Sequence, residues 1–80
     1  MDVVVHMPKF GMTVSEAKIE TWFVEEGDNV DLDMDLVEVS ENKAVHTIKS
    51  KTSGVVTKIL VQEGAMAKPG TDLAIISATE

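Results

Sequence analysis

The residue of this chain best placed to do chemistry is Lys43. Its neighbours, Glu41-Asn42-Lys43-Ala44, read as the tip of a hairpin between two β-rich runs. An amine at such an apex projects away from the body of a domain, where a group joined to it could reach other proteins. Acylation of the ε-amine would also remove its charge. The other candidates are poorer. His6 and His46 are the only histidines, and neither a cysteine nor a regularly spaced carboxylate cluster accompanies them, so no metal site is expected. His46, three residues after Lys43 on the same hairpin, is placed to touch whatever Lys43 carries. Asp28, Asp31, Asp33 and Asp35 suggest calcium, but an EF-hand loop opening at Asp31 needs Gly at its sixth place and Glu at its twelfth. Those places hold Leu36 and Asn42, so a solvated strand face is the better account. Ser15, Ser40, Ser50, Ser53 and Ser77 have no G-x-S-x-G context and no histidine spaced for a triad. The chain is not expected to catalyse a reaction alone.

Lys43 lies at the seam of a duplication. The run from Ala17-Lys18-Ile19 through Glu26-Gly27 to Asp35-Leu36-Val37 returns as Gly54-Val55-Val56 through Glu63-Gly64 to Asp72-Leu73-Ala74, every pair 37 positions apart and without a gap. A gapless repeat in a chain of 80 residues implies two similar sheets related by a pseudo-two-fold axis. Eighty residues make one domain, 1–80, and a chain this size buries only about 60% of its unfolded surface. An apolar fraction of 44% is that of a folded protein. The absence of cysteine removes disulfides, thiolate metal sites and thiol nucleophiles. Seven basic against fourteen acidic residues give a net charge of −7, which argues against nucleic acid and anionic membrane as partners. No apolar run approaches the roughly 18 residues needed to span a bilayer. The N-terminus lacks the parts of a signal peptide, so a cytoplasmic location is expected.

Strand signals dominate. Asp2 to His6 is rich in valine and ends near Pro8, and Lys9 to Ser15 reads as a surface loop. Ala17, Ile19, Thr21 and Phe23 alternate with Lys18, Glu20, Trp22 and Val24. Val30, Leu32, Met34 and Leu36 alternate with aspartates, again a period of two. Turn signals stand at Glu26 to Asn29, Glu63 to Ala65 and Pro69-Gly70, and further strands are expected over Val55 to Val61 and Leu73 to Ser77. Met7, Met12, Met34 and Met66 are expected to fill gaps in a small core, with Trp22 as a packing anchor. The sum is seven or eight short strands in an all-β sandwich or flattened barrel.

In its ordered motifs the chain resembles the lipoyl domains of the biotinyl/lipoyl carrier family, above all those of dihydrolipoyl acyltransferases (E2) of 2-oxo acid dehydrogenase complexes. The resemblance runs from Val3 to Ala78: Met7-Pro8-Lys9-Phe10-Gly11, then Ile19, Trp22 and Gly27-Asp28-Asn29-Val30, then Asn42-Lys43-Ala44, Gly54-Val55-Val56, Glu63-Gly64 and Gly70-Thr71-Asp72-Leu73. Asn42 stands where the family usually has Asp, Ala17 where it has Gly, and Lys51 where it has Pro. Biotinyl domains share the fold, but their lysine is typically flanked by methionine. The glycine-cleavage H protein, another lipoyl carrier, is longer.

The resemblance implies two four-stranded antiparallel sheets and lipoic acid attached covalently to Lys43, with Asn42 and Ala44 completing the modification turn. It implies lipoate–protein ligase, the decarboxylase (E1), the E2 catalytic core and the dihydrolipoyl dehydrogenase (E3) as partners of a monomeric domain. The Lys9–Ser15 loop would then be an E1 recognition surface. The alternatives are a biotinyl carrier domain of a carboxylase and an unmodified β-sandwich interaction module.

Overall fold

The computed structural model describes residues 1–8, 16–41 and 44–78. Eight strands follow in order: β1 (Asp2–His6), β2 (Ala17–Trp22), β3 (Asn29–Val30), β4 (Asp35–Glu41), β5 (Ala44–Lys49), β6 (Gly54–Ile59), β7 (Met66–Ala67) and β8 (Asp72–Ala78). They form two four-stranded antiparallel sheets, β1-β8-β6-β3 and β5-β4-β2-β7. The sheets do not close into a barrel, so the expected fold is realised as a sandwich.

The duplication is visible strand by strand. β4 and β8 share one burial pattern along their seven residues, and β3 and β7 share another. Each repeat sends its short strand into the other repeat's sheet: β3 pairs with β6, and β7 with β2. The core between the sheets is built from Ile19, Leu36, Val37, Val39, Val56, Leu73 and Ile76, all fully buried. Each such side chain contributes about 1.5–3 kcal/mol of burial free energy.

Three expectations need correction: two because simple alternation fails at irregularities, and a third because Met34 and Met66, expected in the core, are exposed. The β2–β4 register passes from Ile19↔Val39 to Thr21↔Glu38, which leaves Glu20 as an extra residue. The same slip occurs at Thr57 in β6, 37 positions on. A bulge shifts the phase by one, so Val24 turns into the core while Phe23 is 49% exposed. Trp22 is half-buried against the core, and its Nε1–H donates to the Val61 carbonyl at 2.8 Å. The second correction concerns the aspartate run. Residues 31–34 form a turn with Asp33 at φ 68°, so Leu32 and Met34 are exposed. The period of two there belongs to a turn, not a strand face. Met7 is buried as expected, Met66 is exposed, and Met12 lies outside the described residues.

The bulges leave backbone donors that the opposite repeat satisfies. Trp22 N–H donates to Glu63 Oε2 at 2.8 Å, and Ile59 N–H donates to Glu26 Oε2 at 2.9 Å. Gly27 N–H donates to the Val56 carbonyl and Gly64 N–H to the Ile19 carbonyl, each at 2.7 Å. Both glycines have positive φ, 95° and 88°, the conformation these turns require. Gly54 is needed for a different reason. A Cβ there would sit 2.2 Å from the Ser77 carbonyl oxygen, which belongs to the paired strand β8.

Gly54→Ala should therefore cost at least the roughly 1–3 kcal/mol of an overpacked core site. Gly27→Ala has open space and should cost only the roughly 1–2 kcal/mol of the left-handed backbone. Thermal unfolding of the two variants should rank them in that order. Glu26→Ala and Glu63→Ala should each lose about 0.5–1.5 kcal/mol in urea denaturation, nearly equally, and Gln at either position should recover most of it.

Candidate functional site

The β4–β5 hairpin is the longest ladder of its sheet, running from Asp35↔Lys49 to Glu41↔Ala44. Glu41 pairs with Ala44, so just two positions of chain, 42 and 43, join the strands. Asn42 and Lys43 themselves lie outside the described residues, as does the Lys9–Ser15 loop expected to recognise E1. Ala44 is half-buried and opens β5, which is an edge strand. The hairpin expected from sequence therefore stands, with the boundaries expected for its tip.

The ladder presents two different faces below positions 42 and 43. On the outer face Val45 is 61% exposed and pairs with Ser40, whose hydroxyl donates to Glu20 Oε2. On the inner face lie Ala44, His46 and Ile48 opposite Glu41, Val39 and Val37. His46 Nε2 and Glu41 Oε1 are 3.1 Å apart, with side chains 33% and 11% exposed. With a carboxylate as acceptor, the imidazole Nε2–H donates. At the other end of the ladder Lys49 Nζ pairs with Asp35 Oδ1 at 3.1 Å.

The remaining candidates from sequence are not gathered at this hairpin. Among the described residues no group of three His, Cys, Asp or Glu side chains could hold a metal ion. His6 Nδ1 pairs with Asp72 Oδ1 at 3.0 Å, the repeat counterpart of the Lys49–Asp35 contact. Ser50 is buried, with its hydroxyl donating to the Thr52 carbonyl, and serves a turn. An open cleft of about 590 Å³ lies between Trp22, Val24, Ile59, Glu26 and Glu63. Trp22 pairs with Val37, four residues along β4 from Glu41, so this cleft is about 13 Å from the hairpin end at strand rise.

That arrangement, a paired ladder with a two-residue connection bearing one amine, suits covalent attachment of a prosthetic group. The family model described as Biotin-requiring enzyme, the biotin/lipoyl model, matches residues 3–76. The chain belongs to the biotin/lipoyl family. Members among the curated proteins include the dihydrolipoyllysine-residue acetyltransferase component of the pyruvate dehydrogenase complex of Staphylococcus aureus strain Mu50, 36% identical over 74 residues. The same component from Staphylococcus epidermidis is equally similar. These matches take in 92% of this chain but only 17% of each relative, so the chain spans about a sixth of their length. In fold, the chain resembles the solution structure of the lipoyl domain of the 2-oxoglutarate dehydrogenase complex from Azotobacter vinelandii. The TM-score is 0.78 at 22% identity, over 100% of this chain and 99% of that one. The biotin/lipoyl fold is therefore the one that its repeat and turns build.

Sequence reasoning found the hairpin but missed the Glu41–His46 contact. The signal was available: Glu41 and His46 occupy diagonal positions once Glu41 is opposite Ala44, and both fall on the face that the valines of β4 bury.

Proposed function

We propose that Lys43 carries lipoate on its ε-amine and that the domain is the acyl carrier of a 2-oxo acid dehydrogenase complex. The observation that carries this reading is the two-residue connection between the paired residues Glu41 and Ala44, with Lys43 in it. Family membership narrows the attached group to biotin or lipoate. The neighbours Asn42 and Ala44, neither of them methionine, and the dihydrolipoyllysine relatives favour lipoate.

When bound, lipoate supplies a disulfide that can be reduced and can hold an acyl group. Everything else belongs to this chain. Lys43 forms the amide and loses its charge. Asn42 and Ala44 complete the turn, Asn being a good turn former. The β4–β5 ladder keeps the attachment point at the end of a rigid sandwich. Tethering converts a bimolecular encounter into one set by effective concentration. The proposed partners are lipoate–protein ligase, the decarboxylase (E1), the E2 catalytic core and the dihydrolipoyl dehydrogenase (E3). The net charge of −7 suits encounters with basic surfaces on them.

Incubation with lipoate–protein ligase, ATP and lipoate should add one lipoyl group, mapped to Lys43 by peptide mass. Lys43→Ala should show none. Exchanging the two turn residues, Asn42→Lys with Lys43→Asn, should lower the rate at least tenfold, because it moves the amine one place along the ladder. A biotin increment from a parallel biotin ligase reaction would instead assign the domain to a carboxylase. No increment from either enzyme would favour an unmodified interaction module.

A further inference from the structure

The Glu41–His46 contact brackets the attachment residue: Glu41 stands two positions before Lys43 and His46 three positions after it. We propose that these two side chains are positioning residues, a lock on the last rung of the β4–β5 ladder that fixes how Lys43 is offered to the enzyme that modifies it. The inference rests on the carrier reading above and adds to it two residues that act through the backbone.

The physical case begins with register. In a hairpin every side chain changes face when the pairing slips by one residue. A slip at the last rung would set Glu41 against a neighbour of Ala44 and change which residues form the connection. Toward the core end of the ladder that slip is blocked by Val37, Val39 and Ile48, which are buried and would be turned outward. The last rung has no such protection. Its inner face holds Ala44, a small side chain, and Glu41, with His46 on the next inward-facing rung.

Glu41 is the unusual member. A carboxylate only 11% exposed on an inward face is costly unless it is paired. His46 supplies the partner at 3.1 Å, on the diagonal from the Glu41↔Ala44 rung to the Val39↔His46 rung. That diagonal exists only in the native register, so the contact rewards the one pairing that leaves positions 42 and 43 as the connection. Packing closes the core end of the hairpin, and this polar contact closes its open end.

The ladder between β1 and β8 supplies an internal control. It carries the counterpart of the Lys49–Asp35 contact in His6–Asp72, and its last rung is closed by the Ala78 N–H donating to the Met1 carbonyl at 2.7 Å. It has no inward Glu–His pair among the described residues.

The test uses Glu41→Ala, His46→Ala, the double variant and Glu41→Gln, which keeps an acceptor for Nε2–H. On the unmodified domain, amide hydrogen exchange should quicken about five- to tenfold at Ser40, Glu41, Ala44 and Val45. Exchange in the β1–β8 ladder should change little, and the melting temperature should fall by several degrees at most, furthest in His46→Ala, which leaves the Glu41 carboxylate unpaired. In lipoylation kinetics kcat/KM should fall by a similar factor in each single variant, the double variant should be no worse than either, and Glu41→Gln should recover most of the loss. Exchange at wild-type rates would overturn the proposal, as would losses that multiply in the double variant. If the unaltered chain accepts neither lipoate nor biotin, the carrier reading fails, and the exchange data still decide whether the pair locks the rung.

Discussion

The structure depends on an exchange between its two halves. Each repeat carries a bulge within its first long strand, a backbone N–H at that strand's end bonds to a side chain instead of a ladder partner, and each repeat's turn supplies that group to the other. Glu63 accepts from Trp22, Glu26 from Ile59, and the paired glycine amides donate to Ile19 and Val56. With β3 and β7 traded between sheets as well, neither repeat has a complete set of backbone partners alone. An 80-residue chain with a thin core gains cooperativity this way, because loosening one turn removes hydrogen bonds from both sheets.

That exchange also determines where function can be placed. The pseudo-two-fold axis makes the β4–β5 end and the β8–β1 end counterparts, but only in the first are the two strands consecutive in the chain, with two positions between Glu41 and Ala44. The ladder below that connection carries the same bulge and the same terminal ion pair as its mate, with Leu36 and Leu73 as the extra buried residues. Among the differences between the two ends are Glu41, His46 and the exposed Val45, where the counterpart ladder has Ala78, Val3 and Asp2. The scaffold is symmetric and the site is not, so the residues that depart from the repeat are the ones to examine for function.

Much of this was legible in the sequence, and the reasons are particular. The 37-residue offset exposed the duplication because no insertion separates Gly27 from Gly64 or Asp35 from Asp72. The hairpin tip was legible because strong β-formers flank Glu41 to Ala44. Bulges defeated the pattern reading. Glu20 and Thr57 look like ordinary strand residues, yet each shifts the phase after it, which is why Phe23 was expected beside Ile19 and instead faces solvent. Leu32 and Met34 failed because a turn with aspartates at alternate places imitates a strand. The reciprocal role of Glu26 and Glu63 follows from contacts 33 and 41 residues apart in sequence. No local pattern carries that information, although their 37-residue spacing marks them as a pair.

Placing the connection at the corner between an inner strand and an edge strand reconciles two opposed demands. The carriage proposed for Lys43 needs an approachable position, which favours an edge, while an open edge invites pairing with other chains. The protein limits that hazard at two of its four edges by length, since β3 and β7 have two residues each. At β5 the edge is longer, and Lys49 near its end carries charge. The inner neighbour β4 is held on both sides, by β2 and β5, and its valines are fully buried. One leg of the hairpin is therefore anchored in the core while the other is open to approach. A connection in the middle of a sheet would be as rigid but hemmed in by its neighbours, and one between two edge strands would be open but poorly held. The corner between β4 and β5 combines an anchored inner strand with an open edge strand, and the last described rung, Glu41↔Ala44, lies beyond the buried valines of β4.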